Sequence, residues 1–329
     1  SCPVTAETVE AAILEEKEKP FAVYLTSPDY LGNLAPVGEI ASVCHRYGVP
    51  LLVDNAHGAY LKFLPRSLHP MDLGADLCSD SAHKTLPVLT GGAYLHMGPD
   101  WTAEEAKAAM ALFGSTSPSW LILQSLDGAN PLLERLPGDI AALAPHIAAL
   151  KEALLAHGFA LVGAESLKIT VHAAKFGYSG EEMAEILEKQ GIFCEFADRD
   201  FLVFMLTPRN TPEELDRLRA ALCALPRGAR QEAPPIALAH PKAVCTPRQA
   251  AFAPRETVPV SESLGRVLAL ANVSCPPAVP IVMCGEEIDE AAWEALCRCG
   301  IEEVTVIKAS PSGVAAMQQK VELARRSRT

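Results

Sequence analysis

The run Leu51-Leu52-Val53 is apolar at every position, is short enough for one strand, and stops at Asp54, with Asn55, Ala56 and His57 beyond it. A strand apolar on both faces belongs inside a covered sheet, and polar residues at its end mark the rim where open parallel sheets bind ligands. The flanking sequence keeps the rhythm of such a sheet. Residues 5 to 18 read as a helix, FAVYLT at 21 to 26 as a buried strand, and Ile40, Val43, Cys44 and Tyr47 as one helical face that Gly48 ends. MDLGADLCSDSAHK then supplies a short helix end, a turn at Gly74 and a strand running toward Ser81, His83 and Lys84. Two strand ends therefore bring Asp54 and Lys84 to the same type of edge.

Composition narrows what that edge serves. With 329 residues, 49% hydrophobic and 21% charged, the chain has material for two or three domains with buried cores. A formal charge of -12 offers no broad basic field to a nucleic acid backbone, so nucleic acid is not an expected partner. The 10 cysteines lack a repeated CxxC spacing, and Cys297 and Cys299 have no matching pair, so reduced thiols are expected rather than disulfides or a metal site. No signal peptide and no membrane-spanning apolar run is visible, which reads as a soluble cytoplasmic protein with no membrane partner.

An amine and a carboxylate on one rim suit few cofactors. A metal site prefers carboxylates and imidazoles without a lysine, and a nucleotidase wants a glycine-rich loop before the lysine. Pyridoxal phosphate uses both groups. The lysine holds the cofactor as a Schiff base, and the carboxylate keeps the pyridine nitrogen protonated, so that the ring takes up electrons left on the substrate α-carbon. On an extended backbone Ala56 faces the same side as Asp54 and is small enough to lie beneath a flat ring. Ser81 and His83 stand near Lys84 as phosphate donors, and His57 as a partner of the ring oxygen or the substrate carboxylate. Each also has an ordinary reading: Asp54 as a turn residue, Lys84 as a solvated amine, and His57, His69, His83 and His96 as surface or core histidines. Spacing alone leaves these alternatives open.

Four longer stretches carry a resemblance. DNAHGAYLKF, GADLCSDSAHKTLPVLTGGAYLHM and FGSTSPSWLILQSLDGA at 113 to 129 resemble the bacterial ornithine/lysine/arginine decarboxylase family, pyridoxal phosphate enzymes of the aspartate aminotransferase fold type. PRQAAFAPRETVPVSESLGRVLALANVSCPPAVPIVMCGEEI at 247 to 288 resembles that family's C-terminal domain. The resemblance implies that Lys84 binds the cofactor, Asp54 partners its pyridine nitrogen, Ala56 packs beneath the ring, and Ser81 and His83 face the phosphate. The chain departs from the family's common pattern with Asn55 in place of an acidic residue and Gly91 in place of a glutamine.

The implied fold is α/β: a fold-type I large-domain remnant with a mixed/parallel sheet over 1 to 118, a small α+β domain over 119 to 225, a linker over 226 to 247, and a separate C-terminal α/β domain over 248 to 329. The small domain is expected as a mixed sheet with packed helices, including a helix over 180 to 190, and the C-terminal domain as strands at PIVMC and VTVIK around a helix. Nothing before Asp54 reads as the phosphate loop or stacking ring that opens such a large domain, so its N-terminal part is expected to be absent from this chain. The implied reaction is decarboxylation of arginine, lysine or ornithine to the amine and CO2, as in polyamine biosynthesis, by a homodimer or larger homo-oligomer. His57 or Lys84 is the candidate proton donor, and Glu286 and Glu287 are candidates for binding the substrate cation. The alternatives are an aminotransferase, with Arg209 as the nearest carboxylate clamp, and a cofactorless, non-catalytic paralogue or subunit.

Overall fold

The strand that ends in Asp54 lies inside a four-stranded sheet. The structure, a computed structural model, describes residues 4–115, 117–229, 241–270 and 280–308. The chain divides into two compact units, Ser1–Glu232 and Ala233–Thr329.

The first unit begins with helix α1 (Ala6–Glu15), opened by a reciprocal Thr5–Thr8 cap and burying Val9 and Ile13 one turn apart. Strand β1 (Val23–Thr26), helix α2 (Val37–Arg46), β2 (Leu51–Asp54), β3 (Leu77–Asp80), the single-turn helix α3 (Ala82–Thr85) and β4 (Tyr94–Met97) follow. The order is β1-β2-β3-β4, with the first three strands parallel and β4 antiparallel to β3. Leu25, Leu51 and Val53 form one core with Val9, Ile13, Ile40 and Cys44 of the two helices. The opposite face carries Tyr24, Leu52 and Asp54, which are exposed or half-buried. The expectation of a strand buried on both faces is therefore corrected: β2 packs on α1 and α2 with alternate residues only, and its open face holds the site.

Helices α4 (Ala103–Ala111), α5 (Trp120–Leu133) and α6 (Leu136–His157) lead away from this sheet. Leu136, Ile140, Leu143, Ile147, Leu150 and Leu154 make a buried stripe along α6, which Gly158 ends. That stripe lies between Tyr60, Leu61 and Leu86 on one side and a second sheet on the other. The second sheet comprises β5 (Leu161–Val162), β6 (Lys168–His172), β7 (Phe196–Ala197) and β8 (Phe201–Met205) in the order β5-β6-β8-β7. Helices α7 (Ala173–Phe176), α8 (Gly180–Glu188) and α9 (Pro212–Cys223) accompany it. Every pair in it is antiparallel rather than mixed, since β7 and β8 are joined by a tight turn at Asp198 and β8 returns alongside β6.

The second unit holds α10 (Pro247–Phe252), β9 (Arg255–Pro259), β10 (Leu268–Leu270), α11 (Glu290–Arg298) and β11 (Glu303–Ile307). The three strands pair antiparallel in the order β10-β11-β9, and Val258, Leu268, Leu296, Val304 and Val306 fill their core. VTVIK lies largely in β11, as expected, but PIVMC is not a strand. Val282 alone of that run is buried, and Gly285 at φ +90° with the Glu286 carboxylate on Met283 N turns the chain back before a ladder forms.

Candidate active site

Parallel pairing puts Thr26, Asp54 and Ser79 side by side at the ends of β1, β2 and β3. Lys84 comes five residues after Ser79, in the turn that follows the same edge, so both candidate residues occupy the carboxyl rim of one sheet. Asp54 Oδ1 accepts from Ala56 N at 3.0 Å and Oδ2 from the Tyr24 hydroxyl at 3.2 Å, which holds the carboxylate on the open face. Lys84 N donates to Ser81 O at 2.9 Å, and its Nζ lies 3.0 Å from His57 Nε2.

His57 is buried and sits between two amines. Its Nδ1 is 3.5 Å from Lys168 Nζ, and Tyr30 meets the ring edge-on at 4.7 Å between centroids. Burial, then the Lys168 ammonium, push the imidazole down, to about 3 when Lys84 is charged as well, so it is neutral at physiological pH. Lys168 is itself buried, 3.0 Å from Glu165 Oε2, in a contact of charges without an aligned hydrogen bond. Burial pushes the Glu165 carboxyl up against the pull of that ammonium.

A pH dependence follows from His57. Its folded value lies below the ordinary 6.5, so the unfolded chain binds the extra proton and stability is present above pH 6.5 and lost as pH falls toward 3. Urea denaturation of wild type is expected to show a pH slope steeper than that of His57→Gln by at most about 1.4 kcal/mol per unit in this window. Parallel slopes would mean that the ring titrates normally.

The other expected site residues are placed unevenly. Ala56 is in a turn just past β2 rather than on an extended backbone, so strand alternation does not set its direction; its backbone N–H, held by Asp54, does. Ser81 precedes α3 and makes no capping bond to it. His83 directs both its backbone N–H and Nδ1 to Gly92 O, at 3.1 and 3.0 Å. A carbonyl only accepts, so Nδ1 carries a proton, and Nε2 donates only if the ring is an imidazolium. Glu286 and Glu287 belong to the second unit, where both join backbone bridges, and the Glu286 carboxylate is engaged by its own turn. Gly91 has φ +97°, a conformation in which a glutamine is strained, and an added Cβ would meet Ile122 Cδ1 at 3.1 Å.

Asn55 has a clear reason. It is fully buried, and its Nδ2 donates to Asp80 Oδ1 at 2.7 Å, where an acidic residue would set two carboxylates together. The other oxygen of Asp80 takes His69 Nε2 at 3.1 Å and His96 Nε2 at 2.9 Å. Burial would raise Asp80, but the bonds from His69, His96 and Asn55 hold it well below the carboxylate range. His69, Asp80 and His96 are close enough to hold a metal ion, and they border a cavity of about 250 Å³. His69 Nδ1 accepts from Met71 N at 3.3 Å, however, which leaves the neutral ring's proton on Nε2 and aims it at Asp80. That proton makes the His69–Asp80 contact a hydrogen bond rather than a shared metal ligation, and His96 donates to the same oxygen through its own Nε2.

Tyr24, Tyr30, Glu165 and Lys168 are the residues that sequence reasoning missed. The two charged residues in ESLKITV had a usable signal, a lysine opening an apolar strand with a carboxylate three residues before it. The tyrosines had none.

A lysine and an aspartate at the rim of a mainly parallel sheet, with a small antiparallel sheet beside it, define the fold-type I architecture of pyridoxal phosphate enzymes. The lysine decarboxylase LdcF of Francisella novicida shares this fold, with a TM-score of 0.69 over 92% of this chain and 60% of that one at 16% identity. Residues 3–144 match the family model described as Orn/Lys/Arg decarboxylase, major domain. The uncharacterized protein YaaO of Bacillus subtilis (strain 168) is 31% identical over 300 residues, covering 83% of this chain and 61% of the relative. An arginine decarboxylase of the same organism is 28% identical over 311 residues, 87% of this chain and 63% of the relative. This N-terminal part of the chain is therefore similar to the fold-type I, Orn/Lys/Arg-decarboxylase-like pyridoxal phosphate enzymes. It spans about three fifths of the length of these curated relatives.

The residues present fit the family's cofactor by their chemistry. Lys84 offers an amine and Asp54 a carboxylate on one half-buried edge, and the Ser81 hydroxyl is not used as a helix cap.

Proposed function

We propose that the chain serves in pyridoxal phosphate-dependent decarboxylation of a basic L-amino acid, arginine, lysine or ornithine, in the cytoplasm and as a homodimer. The observation that carries this reading is the pairing of β2 with β3, which puts Asp54 and the Lys84–His57 contact at one edge. When bound, the cofactor supplies a carbonyl that joins an amine and a ring that takes up electrons from the bond broken at the substrate α-carbon. Lys84 offers the amine that engages this carbonyl. Asp54, kept on the open face by Tyr24 and Ala56 N, holds a proton at the ring nitrogen. His57 is neutral and acts through a ring N–H rather than as an imidazolium. Ala56 would pack beneath the ring, the Ser81 hydroxyl would donate to the phosphate, and His83 would do so when protonated. Glu287 is the better candidate of the acidic pair for the substrate cation, because the Glu286 carboxylate already accepts from Met283 N.

The same reading keeps the division into a cofactor-binding part to residue 118, a small domain to 225, a linker to 247 and a C-terminal domain. Among the described residues no helix is long and apolar enough to cross a membrane, in keeping with the cytoplasm. The aminotransferase alternative has less support: Arg209 is exposed, in a turn where its N donates to Thr207 Oγ1.

Two measurements test the proposal together. Borohydride reduction after incubation with pyridoxal phosphate is expected to leave a pyridoxyl group on Lys84 by peptide mass mapping. A panel of labelled arginine, lysine and ornithine is expected to release CO2 from one of them with the matching amine. Label on another lysine, or keto acid in place of CO2, would reject the assignment.

The homodimer is supported by an apolar surface around FGSTSPSW. Helix α4 buries none of its residues, and Leu112, Phe113, Trp120 and Leu121 are 78, 94, 79 and 69% exposed. Four such side chains within one short stretch exceed what a monomer normally leaves in water. Light scattering at micromolar concentration is expected to give twice the chain mass, and Phe113→Ser with Trp120→Ser to return it to one. A wild-type mass of one chain with activity retained would rule the dimer out.

A further inference from the structure

The imidazole of His57 has an amine at each nitrogen, Lys84 Nζ at 3.0 Å from Nε2 and Lys168 Nζ at 3.5 Å from Nδ1. A neutral imidazole carries one N–H and one lone pair, whereas an ammonium can only donate. One neutral ring therefore cannot satisfy two ammonium groups. With both contacts hydrogen-bonded, one of the two amines accepts.

The surroundings decide which. Lys168 and Glu165, side chains at 1 and 2% exposure, lie 3.0 Å apart, and an opposite charge at that distance favours the charged form of each against the cost of burial. The pair is fixed from several sides. Lys168 opens β6 in register with Met205, and Lys151 Nζ donates to Glu165 O at 2.9 Å. Gly32 at φ +86° brings its backbone onto the pair: a Cβ there would stand 3.2 Å from Lys168 Cδ and 3.3 Å from Glu165 Cβ. Tyr30 closes the remaining side, its ring 5.8 Å from Lys168 Nζ and 4.7 Å from the His57 ring. Among the described residues Lys84 Nζ has no carboxylate partner, and its side-chain contact is the ring. Although 3.5 Å is long for a hydrogen bond, the attraction of an ammonium for a lone pair falls slowly with distance and still selects the lone pair at Nδ1.

We propose that Lys168, charged against Glu165, is a positioning residue that holds the His57 lone pair at Nδ1 and so places the ring proton on Nε2, where it is donated to Lys84. Lys84 Nζ then accepts, which requires the free amine. Only the free amine has the electron pair that forms a bond to a carbonyl carbon. The use of this amine for exchange with an aldehyde cofactor rests on the function proposed above; the placement of the proton does not.

The experiment reads the proton directly, by two-bond 1H–15N correlation of cofactor-free protein at neutral pH, with the His57 signals assigned through His57→Gln. Wild type is expected to show a pyrrole-type shift at Nε2 and a pyridine-type shift at Nδ1. The double variant Glu165→Met with Lys168→Met removes both charges without stranding either, and it is expected to move proton onto Nδ1. Lys168→Arg is expected to restore the wild-type pattern. Borohydride-trapped labelling of Lys84 by pyridoxal phosphate should slow about tenfold in the double variant and recover in Lys168→Arg. A wild-type ring protonated at Nδ1 overturns the inference without any variant, as does a double variant that folds with an unchanged pattern. If the shifts behave as expected but Lys84 never takes the label, the relay stands and the cofactor reading falls.

Discussion

Asp54→Asn is expected to lower turnover by at least about 10²-fold while leaving cofactor capture at Lys84 nearly intact. The side chain keeps its shape, and its remaining carbonyl oxygen can still accept the Ala56 N–H that Oδ1 accepts at 3.0 Å. On the proposed function, what is lost is the negative charge that would hold a proton on the ring nitrogen, a contribution specific to the step in which charge develops. Single-turnover CO2 release should therefore fall while the stoichiometry of borohydride-trapped pyridoxyl label does not. Tyr24→Phe is the companion control, because it removes the 3.2 Å bond to Oδ2 and keeps the charge; its loss should be far smaller. Near-normal turnover in Asp54→Asn would take the residue out of this role.

Lys168→Met alone is expected to destabilise the protein by about 3–5 kcal/mol, because it leaves the buried Glu165 carboxylate without its ammonium. Removing both charges in Glu165→Met with Lys168→Met should recover most of that loss, since an apolar pair of similar volume can replace a buried ion pair with little penalty. The pH dependence identifies the cause. Burial already pushes Glu165 above its ordinary value, and without Lys168 it moves further up. A carboxyl raised on folding contributes stability that is full below the unfolded value, near 4.5, and lost as pH rises through the folded value. The deficit of the single variant should therefore be largest at neutral pH and shrink toward pH 4.5, and the double variant should lack this trend. A deficit independent of pH would assign the effect to packing instead.

These expectations involve residues that differ in how far the sequence revealed them. Asp54 and Lys84 stood out because each follows an apolar strand, and the structure places both at the carboxyl rim of one sheet. His57 was visible as a neighbour of Asp54, but its burial between two amines was not. PIVMC read as a strand from its apolar run alone, and the turn at Gly285 overrode that pattern. Asn55 was visible only as a departure from the family pattern until its bond to Asp80 explained it.

The sequence by itself determined the elements whose reasons are local. Thr5, Ser179 and Thr211 cap their helices through residues three positions on, and Gly158 ends α6 through its own backbone conformation. Such bonds close within about one helical turn, so the residues needed to read them are adjacent in the chain. Only the tertiary structure decided which face of β2 stayed open, which side chain held Asp54, and which charge met His57. Lys168 is 111 residues from His57 in sequence. A buried charge must find a partner to offset its lost hydration, but its identity depends on strand order and on the packing of α6 between the Tyr60–Leu61 segment and the second sheet, and no local pattern encodes either.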